Sequence, residues 1–297
     1  MLDKRLLEQV SVMTLCVFLL FLTESKLAIS AGRLQIEIWS DKTEYLTREP
    51  ISVHYRIKNI GDKPVIMIFH ALKGYFKIQD QQGRQYPNLL SGSYGFISDS
   101  LKPNEAFEGS EGIDGRYGIV DVGEYTCYLE SPKWINAPST RSNEIKIRIK
   151  DPEGEEKKAL RLYLEAEDLK YGRDEQGKKD LQKRELGFQK FQVLVDKYPK
   201  STYAPLALKA AIGTYLYSQN LDERREIIPI CIKLIEDYPA FCDFVGTFTD
   251  LVHTYEILKD KEGAIKTMQE LIKKHPHTKI SEEAQRRLKK IEKWEFE

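Results

Sequence analysis

Residues 187–199 read GFQKFQVLVDKYP, residues 227–239 read IIPICIKLIEDYP, and residues 264–276 read AIKTMQELIKKHP. Each segment carries an apolar stripe at helical spacing. The stripes are Phe188, Phe191, Leu194 and Val195, then Ile228, Cys231, Leu234 and Ile235, then Ile265, Met268, Leu271 and Ile272. Each ends on a proline, which has no N–H for the helical ladder and clashes with the carbonyl four residues back. The stops Tyr198-Pro199, Tyr238-Pro239 and His275-Pro276 lie 40 and 37 residues apart, a period that belongs to stacked helical hairpins. This half of the chain is therefore expected to be a helical-repeat scaffold.

Working outward, the helical pattern predicts helices over 156–169, 181–197, 203–217, 224–237, 242–258, 263–274 and 282–293. Asp222, Asp260 and Ser281 stand where an N-cap is wanted, and Glu282 and Glu283 suit the positive end of the last helix. A charged loop spans residues 171–180. Pro229, inside its helix, predicts looser packing there.

Before Asp151-Pro152-Glu153-Gly154 the period changes to two. Leu34, Ile36 and Ile38 alternate with Gln35, Glu37 and Trp39, and Ile51, Val53 and Tyr55 with Ser52, His54 and Arg56. Further short strands are expected at 65–68, 74–78, 125–129 and 145–149, with joints at Gln82-Gly83-Arg84 and Lys102-Pro103-Asn104-Glu105. Many short strands with no helical pattern between them predict a two-sheet antiparallel sandwich. The fold class is multidomain α and β, an N-terminal antiparallel β-sandwich followed by an α-helical solenoid. The expected divisions are a leader at 1–30, the sandwich at 31–150, a linker at 151–155 and the repeats at 156–297.

The leader expectation rests on Lys4 and Arg5, the apolar run from Val10 to Leu22 and the small-residue exit Ala28-Ile29-Ser30-Ala31. That order is the pattern of a secretory signal, and the run is too short to span a bilayer comfortably. Leu15 before Cys16 removes a lipid-attachment site. Net charge is zero, which supplies no broad field for nucleic acid or anionic lipid. Cys127, Cys231 and Cys242 remain after the leader, an odd number in an oxidising compartment. Cys231 falls in an apolar stripe and reads as a core residue, with a Cys231–Cys242 bridge as the alternative.

Two resemblances follow. Tyr125 lies two residues before Cys127, which resembles the tyrosine corner of immunoglobulin-like domains, although the strand near 50–58 lacks a partner cysteine. Residues 45–68 are also similar to sandwich modules of exported bacterial proteins. In the helical half, Phe248, Leu251, Val252, Tyr255, Ala264, Met268, Leu271 and Pro276 resemble a tetratricopeptide repeat. Leu208, Ala211, Ile212, Tyr215, Ile227, Cys231, Leu234 and Pro239 form a second unit, and Gly187, Phe191, Leu194 and Pro199 part of an earlier one. Ala284, Leu288 and Ile291 continue into a terminal helix charged on its other face, as a cap should be. Tyr198-Pro199-Lys200-Ser201 is similar to links in divergent repeats of bacterial envelope proteins, including outer-membrane-assembly and cell-envelope coordinator families.

Catalytic patterns are missing from the sequence. No nucleophile elbow, dinucleotide fingerprint or phosphate loop occurs. His54, His70, His253, His275 and His277 show no metal-ligand spacing, and the acidic, glycine-rich 108–115 stretch lacks a calcium-loop pattern and reads as an exposed loop. Neither a metal nor a cofactor is expected. The repeat resemblance implies that the first helix of each hairpin lines a groove for a peptide or helix, with Lys209, Thr249, His253 and Glu256 projecting into it. The expected function is a non-catalytic protein–protein scaffold of the bacterial periplasm or cell envelope, membrane-associated only through an uncleaved leader. Two alternatives stand beside it. One is a sandwich that inhibits proteinases through residues 91–96, the other an accessory hydrolase with an unrecognised site.

Overall fold

The computed structural model describes residues 33–68, 75–89, 98–131, 137–170, 180–241 and 243–294. The leader at 1–30, His70, the 91–96 loop, Cys242 and the charged loop at 171–179 lie outside the described residues. The chain divides into two compact units after Lys150.

The first unit is built from strands β1 (Leu34–Ser40), β2 (Glu44–Leu46), β3 (Ser52–Asn59), β4 (Val65–Ile68), β5 (Phe76–Asp80), β6 (Gln85–Tyr86), β7 (Ser98–Leu101), β8 (Ala106–Gly112), β9 (Gly123–Leu129) and β10 (Ile145–Lys150), with one helical turn α1 (Asp114–Tyr117). Ladders run in the orders β1-β3-β8, β2-β10-β9-β5-β6 and β4-β7. Period-two alternation turns Ile36, Ile38, Val53 and Ile57 inward to meet Phe76, Ile78, Cys127, Leu129, Ile147 and Ile149 in one core. Most pairs are antiparallel, but β2 runs parallel to β10, which corrects the all-antiparallel expectation. The 108–115 stretch, expected as a loop, is an edge strand followed by α1. Its glycine content is accommodated by pairing, because Gly109 lies opposite Tyr55 and a Cβ there would sit 2.5 Å from the Tyr55 hydroxyl oxygen. The aromatic ring covers the space a side chain would have filled.

Tyr125 closes the corner that its spacing suggested. Its hydroxyl donates to the Asp121 carbonyl at 2.8 Å. Cys127, which has no partner cysteine in the strand near 50–58, is a free and buried thiol, and burial pushes its pKa up to about 12. The edge of β1 is blocked by Asn143, whose amide accepts from Ile38 N–H at 2.8 Å and donates to Ile38 O at 2.9 Å. One side chain thus supplies both hydrogen bonds that a neighbouring strand would make at that residue.

The second unit contains seven helices among the described residues: α2 (Gly154–Lys170), α3 (Leu181–Lys197), α4 (Tyr203–Tyr215), α5 (Leu221–Asp237), α6 (Phe244–Ile257), α7 (Lys261–Lys274) and α8 (Lys279–Ile291). Three hairpins, α2–α3, α4–α5 and α6–α7, precede the single helix α8. The stops are conformationally equivalent: Tyr198, Tyr238 and His275 end their helices at φ/ψ of −130/56, −131/55 and −124/55. A residue before proline is driven out of the α region, so the same dipeptide logic produces the same exit three times. Successive stops are also bonded, with the Tyr238 hydroxyl donating to Pro199 O at 2.7 Å.

A second periodic feature lies 15 residues before each stop proline, where Arg184, Arg224 and Lys261 occupy one repeat position. Arg184 reaches Glu223 of the next hairpin at 2.7 Å. Arg224 donates to Ser218 O at 2.6 Å, and Lys261 donates to Glu292 O and Trp294 O at 2.9 Å each. Arg224 is buried although charged, because its aliphatic stem follows the phase of Ile227 and Cys231.

Helix starts depart from expectation at two sites. Asn220, not Asp222, caps α5 and accepts from Asp222 N–H at 2.9 Å. Thr278, not Ser281, caps α8 and accepts from Ser281 N–H at 3.3 Å. The nominated residues are the donors of the cap bonds, which belong to the second and third helical positions. Asp260 does cap α7, accepting from Gly263 N–H at 2.8 Å. Helix α5 continues through Pro229, with Ile227, Ile230 and Cys231 all buried around it.

Candidate functional site

Lys209, on α4, places its ammonium 2.6 Å from Asp243 just before α6 and 2.6 Å from Asp250 within α6. Next to Asp250 on α6, the Thr249 hydroxyl donates to Val245 O at 3.0 Å and accepts from the Arg287 guanidinium of α8 at 2.8 Å. Arg287 is 9% exposed, and Glu283 of the same helix holds both Arg286 and Arg287 at hydrogen-bond distance. These contacts form a polar track across α4, α6 and α8, the first helices of successive units. His253 and Glu256 follow Thr249 on α6 at i+4 and i+7, hence on one face. His253 Nδ1 stands 3.7 Å from Glu256 Oε2, too long for a hydrogen bond. Val245, four residues before Thr249, is 54% exposed.

The four residues expected along the repeat face therefore differ in state. Lys209 and Thr249 are engaged between helices, whereas His253 and Glu256 face water. Sequence reasoning missed Asp243, Asp250, Glu283 and Arg287. For Arg287 a signal existed, because it stands in phase with Ala284, Leu288 and Ile291, where an apolar residue is expected. For Asp243 and Asp250 none existed, since they pair across 34 and 41 residues.

The electrostatics follow from partial burial. Desolvation alone would lower the Lys209 pKa, but its hydrogen bonds to Asp243 and Asp250 outweigh it and raise it. Desolvation likewise pushes the Glu283 carboxyl up, and the hydrogen bonds and charges of Arg286 and Arg287 bring it below its ordinary value. A depressed carboxylate stabilises the fold above its unfolded pKa and loses that contribution as pH falls through the folded one. The Glu283→Gln variant should therefore be less stable than the native chain at pH 7, by about 1 kcal/mol after allowance for solvent screening. The difference should shrink below about pH 4. Urea midpoints of both chains at pH 7 and pH 3.5 check this, and a gap that widens on acidification would contradict it.

Among the described residues, no group of three or more His, Cys, Asp and Glu is placed to hold a metal ion. A concavity of about 290 Å³ beside the first stop is lined by Glu153, Glu155, Glu156 and residues 197–201. Glu156 is committed there to structure, accepting from Ser201 Oγ at 2.7 Å and Thr202 N–H at 3.0 Å. No described helix is long and apolar enough to cross a membrane.

Residues 255–278 match a tetratricopeptide-repeat family model. The match begins at the end of α6, contains all of α7 and reaches the cap of α8. No curated protein matches the chain in sequence. Among solved structures, a CARDB domain from Pyrococcus furiosus aligns at 13% identity and a TM-score of 0.26, over 41% of this chain and 96% of that one. A β-glucosidase from Listeria innocua aligns at 13% identity and 0.27, over 40% of this chain and 16% of the enzyme. The sporulation control protein Spo0M from Bacillus subtilis aligns at 12% and 0.26, over 46% and 55%. At these scores none of them informs the assignment of function.

Proposed function

We propose that the helical unit binds a segment of a partner protein along the row of first helices α4, α6 and α8, without catalysis. Tetratricopeptide repeats generally mediate protein–protein contacts, and the repeat match ends on this row. The observation that carries the reading is the α6 stripe of Val245, Thr249, His253 and Glu256, which presents one apolar and three polar side chains beside inter-helix ion pairs that hold its position. Helix-in-groove recognition uses such a face, with apolar anchors for affinity and polar groups for register. The export-signal pattern of Lys4, Arg5 and the apolar run to Leu22 supports a periplasmic or envelope setting for that partner.

The test is cross-linked capture from bacterial envelope extract with the full chain and with two variants, Val245→Asp and His253→Glu. Neither change removes a bond between helices, whereas Lys209→Glu would set three carboxylates together and damage the scaffold. A partner held by the native chain should fall roughly tenfold in recovery with each variant, the scale of a central contact residue. Equal recovery by all three chains would move the interface off this row, and failure to retain any partner would remove the reading.

A further inference from the structure

The outward face of the β1-β3-β8 sheet breaks its own alternation at one place. Gln35 and Glu37 are the polar, solvent-facing members of β1, and the third member is Trp39, 42% exposed. Scattered apolar residues on a surface are ordinary, but this indole is held in place. The His54 imidazole stacks against it with ring centroids 5.6 Å apart and planes within 22°. Asp41 Oδ1 in turn holds His54 Nε2 at 2.9 Å. A ring fixed before binding loses little conformational freedom on contact with a ligand.

Beside this platform lies a shallow concavity of about 250 Å³ lined by Gln35, Glu37, Arg56 and Lys58. Register places Gln35 opposite Lys58, Glu37 opposite Arg56 and Trp39 opposite His54. Successive rungs are two residues apart, hence about 7 Å. The charges balance, with Glu37 and Glu108 set against Arg56 and Lys58: Arg56 stands 3.3 Å from Glu108, and Glu37 accepts from the neutral Gln35 amide at 2.8 Å. A charged polymer finds little net field there. Hydrogen-bonding capacity nevertheless remains, since a carboxylate has about four acceptor positions and a guanidinium five N–H donors.

We propose that this face binds a neutral polysaccharide, with the C–H face of one sugar ring on Trp39 and the hydroxyls of neighbouring rings on Glu37, Arg56, Gln35 and Lys58. The ligand must offer both an apolar flat face and a rim of neutral donors and acceptors, which a pyranose chain does. The concavity is smaller than the roughly 300–1,000 Å³ of an enclosing ligand pocket, which suits a chain lying along the sheet.

The test is native affinity electrophoresis of the full chain through gels holding soluble β-1,3-glucan, xyloglucan, galactomannan or α-1,4-glucan, with polygalacturonate as the anionic control. Retardation is expected in at least one neutral gel. Trp39→Ala should weaken it tenfold or more and Arg56→Ala by several-fold, while Tyr217→Ala, which removes an exposed aromatic ring in the other unit, should leave it unchanged. Thermal melts of the variants ensure that each is folded, and Trp39→Phe, which keeps a flat ring, should restore part of the binding. Migration unaffected by every neutral gel, equal retardation of Trp39→Ala, or retardation by polygalacturonate alone would each overturn the proposal.

Discussion

Replacement of Gly187 by alanine should destabilise the chain, and the same replacement at Gly213 should stabilise it. Both glycines lie inside helices, α3 and α4, where alanine is favoured over glycine by up to about 1 kcal/mol. Propensity alone predicts a gain at both. A Cβ on Gly187, however, would stand 2.8 Å from Ala166 O, 2.9 Å from Lys170 N and 3.3 Å from Leu169 Cβ. The first two are backbone atoms of α2 and cannot rotate away, so the hairpin has to open. Overpacking of this kind costs roughly 1–3 kcal/mol, and with immovable neighbours the upper end applies. The net loss should be about 2 kcal/mol, a fall in Tm of some 4–8 °C for a unit of this size. Gly187→Val should lose more. At Gly213 the nearest atom is Lys170 Nζ at 3.4 Å, the far end of a flexible side chain, so the gain of about 0.5–1 kcal/mol survives. Differential scanning calorimetry of the three chains decides the matter. A rise in Tm for both alanine variants would show that the α2–α3 approach is not the constraint described.

The same contact shows what made the helical half readable. Apolar stripe and proline stop recur at one spacing, and a small residue joins them in two of the three units, Gly187 and Ala264 but Ile227 between them, because each answers a local requirement: burial, termination and close approach. None of the three needs knowledge of distant residues, and the structure returns the three stops with nearly one set of dihedral angles. Helix starts were less legible. In Asn220-Leu221-Asp222 two residues have capping side chains, and only the geometry shows that Asn220 accepts while Asp222 supplies the N–H and turns its own carboxylate to Arg225 at 2.6 Å. The ties of Lys209 to Asp243 and Asp250 were not legible at all. Lys209 reads as a solvent-facing groove residue until α6 brings Asp243 and Asp250 to it.

In the sandwich, alternation was decisive where side chains are apolar and failed where they are absent. Residues 106–112, AFEGSEG, have turn composition, yet they form seven consecutive pairs with β3. Pairing and the cover of Tyr55 override propensity, since β-propensity largely measures fit to neighbours. The tyrosine corner was readable for the opposite reason, because its bond joins residues only four apart.

Asn59 carries the second large effect. It ends β3 fully buried, with its amide donating to Lys63 O and Leu101 O at 2.8 Å each and its oxygen accepting from Gly61 N–H at 2.9 Å. Three segments thus meet at one side chain: the turn after β3, the approach to β4 and the end of β7. Asn59→Ala leaves two carbonyls and one N–H without that partner. A buried polar group left unmade costs about 1–3 kcal/mol, and water can reach the Lys63 and Gly61 groups more readily than Leu101. A loss of about 3 kcal/mol is expected, or some 6–12 °C in Tm. Asn59→Asp separates this from simple truncation. Its shape is retained, but at neutral pH an anion replaces the donor and faces two carbonyl oxygens, so its folded pKa must rise above the ordinary value near 3.9. A raised carboxyl pKa makes the fold lose stability as pH increases. Asn59→Asp should therefore approach the native chain near pH 4 and fall below Asn59→Ala at pH 7. Equal deficits at the two pH values would mean that the bonds to Lys63 and Leu101 contribute little and that the site is held by packing instead.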